Sequence, residues 1–148
     1  MMIEQTHYMP DKYLLGHPGI DMQHEVLFAL YHEVLHTLDG GKDHYDLEEV
    51  LAGLGMYTVN HFQFEEESMR SAGFEDGGRH VDEHRSLKER VGEFQGRFHG
   101  ARDEGERCAL TRDLADFLLT WLDHHIAEVD RLLCRFLLAT TAKEALGC

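Results

Sequence analysis

Four stretches of this chain repeat apolar residues with helical period, and on or near each apolar stripe stand side chains of metal-ligand type. They are His24, His61, Glu65, His80, His84, His125 and Asp130. His61 and Glu65, and likewise His80 and His84, are four residues apart, so on a helix each pair projects from one face. A fold that buries these stripes buries five imidazoles and two carboxylates with them. Left without partners, so many buried polar and charged groups would cost on the order of tens of kcal/mol. Coordination to metal supplies the missing partners. The set is too rich in histidine for magnesium or calcium and suits a pair of iron ions.

The stripes themselves predict the architecture. Residues 1–19 form an arm interrupted by Gly16, Pro18 and Gly19. Asp21 is the expected N-cap of a first helix, with Leu27, Leu30, Tyr31, Val34 and Leu38 on one face and His24 sharing it. Gly40-Gly41 is expected to end that helix. A second helix, starting from Asp43 or Asp46, carries Leu47, Leu51, Leu54, Thr58, His61 and Glu65, and stops in the run from Gly73 to Gly78. The third has the cleanest pattern: His80, His84, Leu87, Val91, Phe94 and Phe98 alternate by three and four, a seam suited to bundle packing at about +20°. After Gly100 to Gly105, a longer segment turns Leu110, Leu114, Phe117, Trp121, His125, Leu132 and Phe136 inward and is expected to break after Asp130. Helices with such short connections predict an all-α, up-down-up-down antiparallel four-helix bundle with an N-terminal arm. The chain of 148 residues is expected to be one domain, with the bundle over 20–139 and a C-terminal tail over 140–148.

The formal net charge of -14 leaves no basic stripe to neutralise phosphates, which excludes nucleic acid and an anionic membrane surface as partners. No run approaches the ~18 apolar residues of a membrane span. The first ten residues, MMIEQTHYMP, lack a positive region followed by an apolar run, so no signal peptide is expected and the cytoplasm is the expected compartment. Cys108, Cys134 and Cys148 form no CxxC pair of the zinc or thioredoxin kind. The acidic surface and the lack of a spare apolar stripe favour a monomer.

The residues around the ligand types resemble a known family. Ile20-Asp21-Met22-Gln23-His24, His61-Phe62-Gln63-Phe64-Glu65-Glu66, His80 with Glu83-His84, and Trp121-Leu122-Asp123-His124-His125-Ile126 with Asp130 are similar to the hemerythrins, in the single-domain bacterial branch, the bacteriohemerythrins. All seven ligand positions match in type, order and spacing. The resemblance implies a non-haem di-iron centre with His80, His84 and His125 on one iron and His24 and His61 on the other. Glu65 and Asp130 would bridge both ions, with an oxo or hydroxo group between them. Five nitrogens, four carboxylate oxygens and a bridge counted twice then leave one position open, on the iron with two histidines. Dioxygen is implied to bind there reversibly, as a hydroperoxide, in a dry pocket matched by Leu27, Phe62, Trp121, Ile126 and Ala127. Many relatives carry a larger apolar residue at the Ala127 position, which implies a roomier pocket more prone to autoxidation.

The same resemblance selects His125 over His124 through its Trp-Leu-x-x-His-Ile and His-x4-Asp spacings, leaving His124 at the rim. One interval is awkward. Five residues turn an ideal helix by about 140°, so His125 and Asp130 meet only if the helix bulges or Asp130 reaches in from the adjacent turn. His32 and His36 form a further i,i+4 pair, but they lie off the His24 face and no second Glu-x-x-His answers Glu33-x-x-His36, so a second metal site is not expected. The implied function is oxygen storage, transport or scavenging, with dioxygen and an unidentified protein acceptor as partners, and not an enzyme. The alternatives are a sensor of oxygen, NO or redox state acting on a partner in trans, and a di-iron redox enzyme that turns over peroxide or donates iron.

Overall fold

The computed structural model describes residues 8–38, 47–74 and 77–145, and among these there are helices and no strand. They are α1 (Pro18–Leu38), α2 (Leu47–Ala72), α3 (Gly77–Gly100) and α4 (Glu104–His124), the last continuing through a π-helical turn, His125–Asp130, into α5 (Arg131–Ala145). α2 packs on α1 and α3, and α4 on α1 and α3, which closes the up-down-up-down ring; α5 lies back against α2. No described helix is long and apolar enough to cross a membrane. The expected stops and starts at Gly40-Gly41, Asp43 and Asp46 fall outside the described residues.

α1 begins earlier than the sequence pattern suggests. Asp21 is not its cap. His17 is: its Nδ1 accepts the Ile20 N–H at 3.2 Å, and Pro18 takes the first helical position, where a missing N–H costs no hydrogen bond. The Asp21 carboxylate turns back on the arm, accepting the N–H groups of Leu15 at 2.8 Å and Gly16 at 3.0 Å. Gly16 permits that turn with φ 85°. The Tyr13 hydroxyl donates to Asp123 at 2.7 Å, which ties the arm to the end of α4.

α2 stops at Gly73, in the left-handed conformation with φ 72°. The Phe74 N–H then reaches back to the Met69 carbonyl at 3.0 Å, which closes a Schellman motif. A Cβ at Gly73 would have nothing within 4 Å, so Gly73→Ala tests backbone conformation alone. It is expected to cost about 1–2 kcal/mol, seen as a lower urea midpoint with unchanged slope; an unchanged midpoint would contradict the left-handed cap. At the start of α4, the Asp103 carboxylate accepts the Glu106 N–H at 2.8 Å, as an N-cap should.

The largest departure is in the last segment. The helix does not break after Asp130. Instead its α-helical pattern widens before that residue, and the Arg131 N–H bonds to the Ile126 carbonyl five residues back. The extra residue rotates everything beyond it by about 100°. Leu132, expected inward, is therefore 55% exposed, and Leu133 and Cys134 take the buried positions. The helix also runs on to Ala145, past the boundary at residue 140.

The core separates into two parts along the bundle axis. Leu51, Leu54, Leu87, Val91, Phe94, Leu110 and Leu114 are buried toward one end and fill it with apolar side chains. The seven ligand-type residues lie toward the other end, where α1 and α3 start and where α2 and α4 finish.

Candidate metal centre

All seven residues meet, and each is at most 2% exposed. Every histidine turns its Nε2 to the two carboxylates. Glu65 Oε1 lies 2.6 Å from His61 Nε2 and 3.9 Å from His24 Nε2. Glu65 Oε2 lies 2.6, 3.3 and 4.0 Å from the Nε2 atoms of His80, His84 and His125. Asp130 Oδ2 faces His24 at 2.6 Å and His125 at 2.9 Å, and its Oδ1 faces His80 at 3.0 Å. Two groups result, each with donor atoms within 4.8 Å of one another: His80, His84, His125, Glu65 and Asp130, and His24, His61, Glu65 and Asp130. The carboxylates belong to both. The π-turn makes this assembly accessible, because its i to i+5 bonding brings Asp130 onto the His125 face, which an ideal α-helix would deny it.

The donor set asks for cations. His61 Nε2, His84 Nε2, His125 Nε2, Glu65 Oε1 and Asp130 Oδ1 are buried without a hydrogen-bond partner among the described residues. Each atom left so costs about 1–3 kcal/mol. Without metal, protons supply the positive charge. Burial pulls the His61 and His80 imidazoles down, but the Glu65 and Asp130 carboxylates set against them outweigh it and hold both at about 9. Burial raises Glu65, and Asp130 beside it adds to that; His61 and His80 reverse the balance and bring it to about 2. Asp130, buried but facing His125 and His24, is held well below the usual carboxylate range. His84 is pushed down by burial, which keeps it neutral. A neutral imidazole and an ionised carboxylate are the forms that ligate metal, so residues and charge fit a nitrogen-rich pair of cations.

Two orienting groups lie behind the rings. The Gln23 side-chain oxygen meets His61 Nδ1, and Glu66 Oε1 lies 3.4 Å from His84 Nδ1. Such partners fix tautomer and ring orientation. The sequence pattern did not single them out, and their one signal was adjacency to His24 and Glu65. Of the expected pocket residues, Leu27, Phe62 and Ile126 are buried, and Trp121 and Ala127 are half-buried. Phe62 lies flat on His84, with centroids 3.8 Å apart and planes at 10°, and Trp121 on His125 at 4.3 Å and 16°. These two aromatics thus pack against the three-histidine group.

The other described histidines stay apart from the centre. His124 sits at the surface between Glu83, at 3.2 Å, and Glu128, at 2.9 Å, a rim position. A His32 ring nitrogen lies 3.3 Å from the Tyr8 carbonyl oxygen, and neither it nor His36 joins a ligand group among the described residues.

Bundle and cluster together define a helical protein with a buried, histidine-rich cluster of the metal-binding kind. Residues 16–137 match the hemerythrin HHE cation binding domain, and the chain belongs to that family. It is 34% identical over 111 residues to the bacteriohemerythrin of Pseudomonas paraeruginosa, covering 75% of this chain and 68% of the relative. It is 30% identical over 112 residues to the bacteriohemerythrin of Methylococcus capsulatus, covering 76% and 81%. A crystal structure of wild-type hemerythrin superposes with a TM-score of 0.67 at 25% identity, covering 93% of this chain and 97% of that one.

Proposed function

We propose that this protein binds dioxygen reversibly at a di-iron centre, to store, carry or scavenge it, and does not turn it over. The observation that carries the proposal is the division of Glu65. One oxygen faces His24 and His61, and the other faces His80, His84 and His125. A carboxylate so placed serves two ions at once. His80, His84 and His125 would hold one iron and His24 and His61 the other, with Glu65 and Asp130 common to both. The second ion then has one protein ligand fewer, and the exogenous ligand belongs there. Relatives named bacteriohemerythrin and a neighbour named hemerythrin support this reading.

The iron pair, when bound, supplies the electrons that dioxygen takes up and gives back. The chain's own residues do the remainder. Leu27, Phe62 and Ile126 keep water from the buried carboxylates. Gln23 and Glu66 hold His61 and His84 in one tautomer. Phe62 and Trp121 pin the rings of His84 and His125 from the side. A single-domain, cytoplasmic monomer with dioxygen as its partner completes the proposal.

The test is an oxygen cycle followed by visible absorption, with iron measured alongside. The protein is reduced anaerobically, exposed to air, then freed of oxygen. Two irons per chain and a band that appears with oxygen and vanishes on its removal are expected. Irreversible oxidation would point to a redox enzyme or sensor, and a folded bundle without iron would remove the centre altogether.

Ala127, half-buried on the π-turn, offers a second check. Ala127→Leu is expected to slow autoxidation severalfold by narrowing the water's path to the ligand position. An unchanged or faster rate would show that Ala127 does not border that path.

A further inference from the structure

Tyr57 stands on α2 one turn before His61 and two before Glu65, on the side of the centre served by His24 and His61. Its ring runs parallel to that of His61, with centroids 6.4 Å apart and planes at 8°. The residue as a whole is only half-buried, yet its hydroxyl oxygen is fully enclosed. The phenol therefore points inward, with its polar end in the interior. The Glu65 carboxylate is close enough for its charge to act on the phenol. The hydroxyl has no hydrogen-bond partner among the described residues.

Other buried residues satisfy their hydroxyls. Thr58, the next residue, donates to the Gly55 carbonyl at 3.0 Å, and Tyr13 donates to Asp123 at 2.7 Å. An unmade bond at a buried phenol is costly, and phenylalanine would fill the same space without it. A group of this kind is ordinarily completed by a ligand, a water or a catalytic role. Burial, with the Glu65 charge adding to it, holds the phenol far above its ordinary range, so the oxygen keeps its proton and acts as a donor.

We infer that the Tyr57 hydroxyl donates a hydrogen bond to a small anionic ligand held on the two-histidine side of the centre, and so sets how tightly that ligand is held and how fast it leaves. The inference rests on the di-iron reading above. It makes Tyr57 a hydrogen-bond donor to that ligand.

Tyr57→Phe removes one oxygen and leaves the ring in place. With azide as the probe and the oxidised, iron-loaded protein titrated by visible absorption, the variant is expected to bind about tenfold more weakly, the loss of one hydrogen bond to a charged acceptor. The change should lie in the dissociation rate, with association unaltered. A vibrational shift of bound azide on moving to deuterated water should be present in the wild type and absent in the variant. Without azide, the variant should melt at or above the wild type, because an orphaned donor has been deleted. Full iron with unchanged azide affinity and release would overturn the inference and leave the di-iron reading standing. A variant that loses iron or melts lower would make Tyr57 a structural support and overturn it equally. Wild-type protein without iron would overturn both.

Discussion

Glu65→Ala is expected to empty both halves of the metal centre, where His24→Ala empties one. Glu65 is the residue whose two oxygens are divided most cleanly between the histidine groups, at 2.6 Å from His61 on one side and 2.6 Å from His80 on the other. Removing it takes a ligand from each ion and leaves Asp130 as the sole shared carboxylate. His24 belongs to one group alone. Iron content should therefore fall well below one per chain in Glu65→Ala and settle near one in His24→Ala. The metal-free protein suffers as well. Deleting one partner of a buried charged pair typically costs about 3–5 kcal/mol, so chemical denaturation should show a much earlier midpoint for Glu65→Ala. Retention of the full iron load in that variant would rule out a bridging role.

Metal loading should expel protons, and the number should depend on pH in a defined way. His61 and His80 stand at about 9 in the metal-free fold, raised above the ordinary 6.5 by the carboxylates they face. A raised histidine contributes stability fully below its unfolded value, and that contribution is lost as pH rises through about 9. Glu65, lowered from 4.5 to about 2, contributes above 4.5 and loses its share as pH falls through 2. The metal-free protein is thus expected to be most stable between 4.5 and 6.5, and to weaken toward 9. Iron takes neutral imidazole. At neutral pH, loading must displace the protons on His61 and His80, whereas His84, lowered by burial, has none to give. Calorimetry in buffers of different ionisation heat should count about two protons released per chain at pH 7 and none above the histidine titration. Zero release at pH 7 would mean that the imidazoles are already neutral without metal.

What the sequence revealed, and what it hid, follows from the range of the forces involved. The stripe through His80, His84, Leu87, Val91 and Phe94 was legible because helical period is a local property, and every one of these residues is buried. Asp21 misled because a carboxylate after a loop can accept N–H groups ahead of it or behind it, and spacing does not say which; here it accepts those of Leu15 and Gly16. Leu132 misled because an α-helical period was carried through a turn that holds one residue more. The interval from His125 to Asp130 already contained the warning, and following it would have moved the buried position to Leu133. Gln23 and Glu66 were illegible for another reason. Gln23 meets His61 across 38 residues and Glu66 meets His84 across 18, contacts that only the packed bundle creates.

His24 and Asp130 are 106 residues apart and meet at 2.6 Å. A chain leaving the ribosome carries five of the seven residues well before His125 and Asp130 emerge, and until then neither half of the centre has both of its shared carboxylates. Capture of metal is therefore a sign of completion. Because the entropy of closing a loop grows only slowly with its length, fastening the first helix to the last through an ion adds little penalty for the distance spanned. An ion that binds only the finished fold draws the chain toward it by mass action. Metal supply and folding would thus converge on a single checkpoint, at which ions held between His24 and Asp130 lock together helices that already pack on one another.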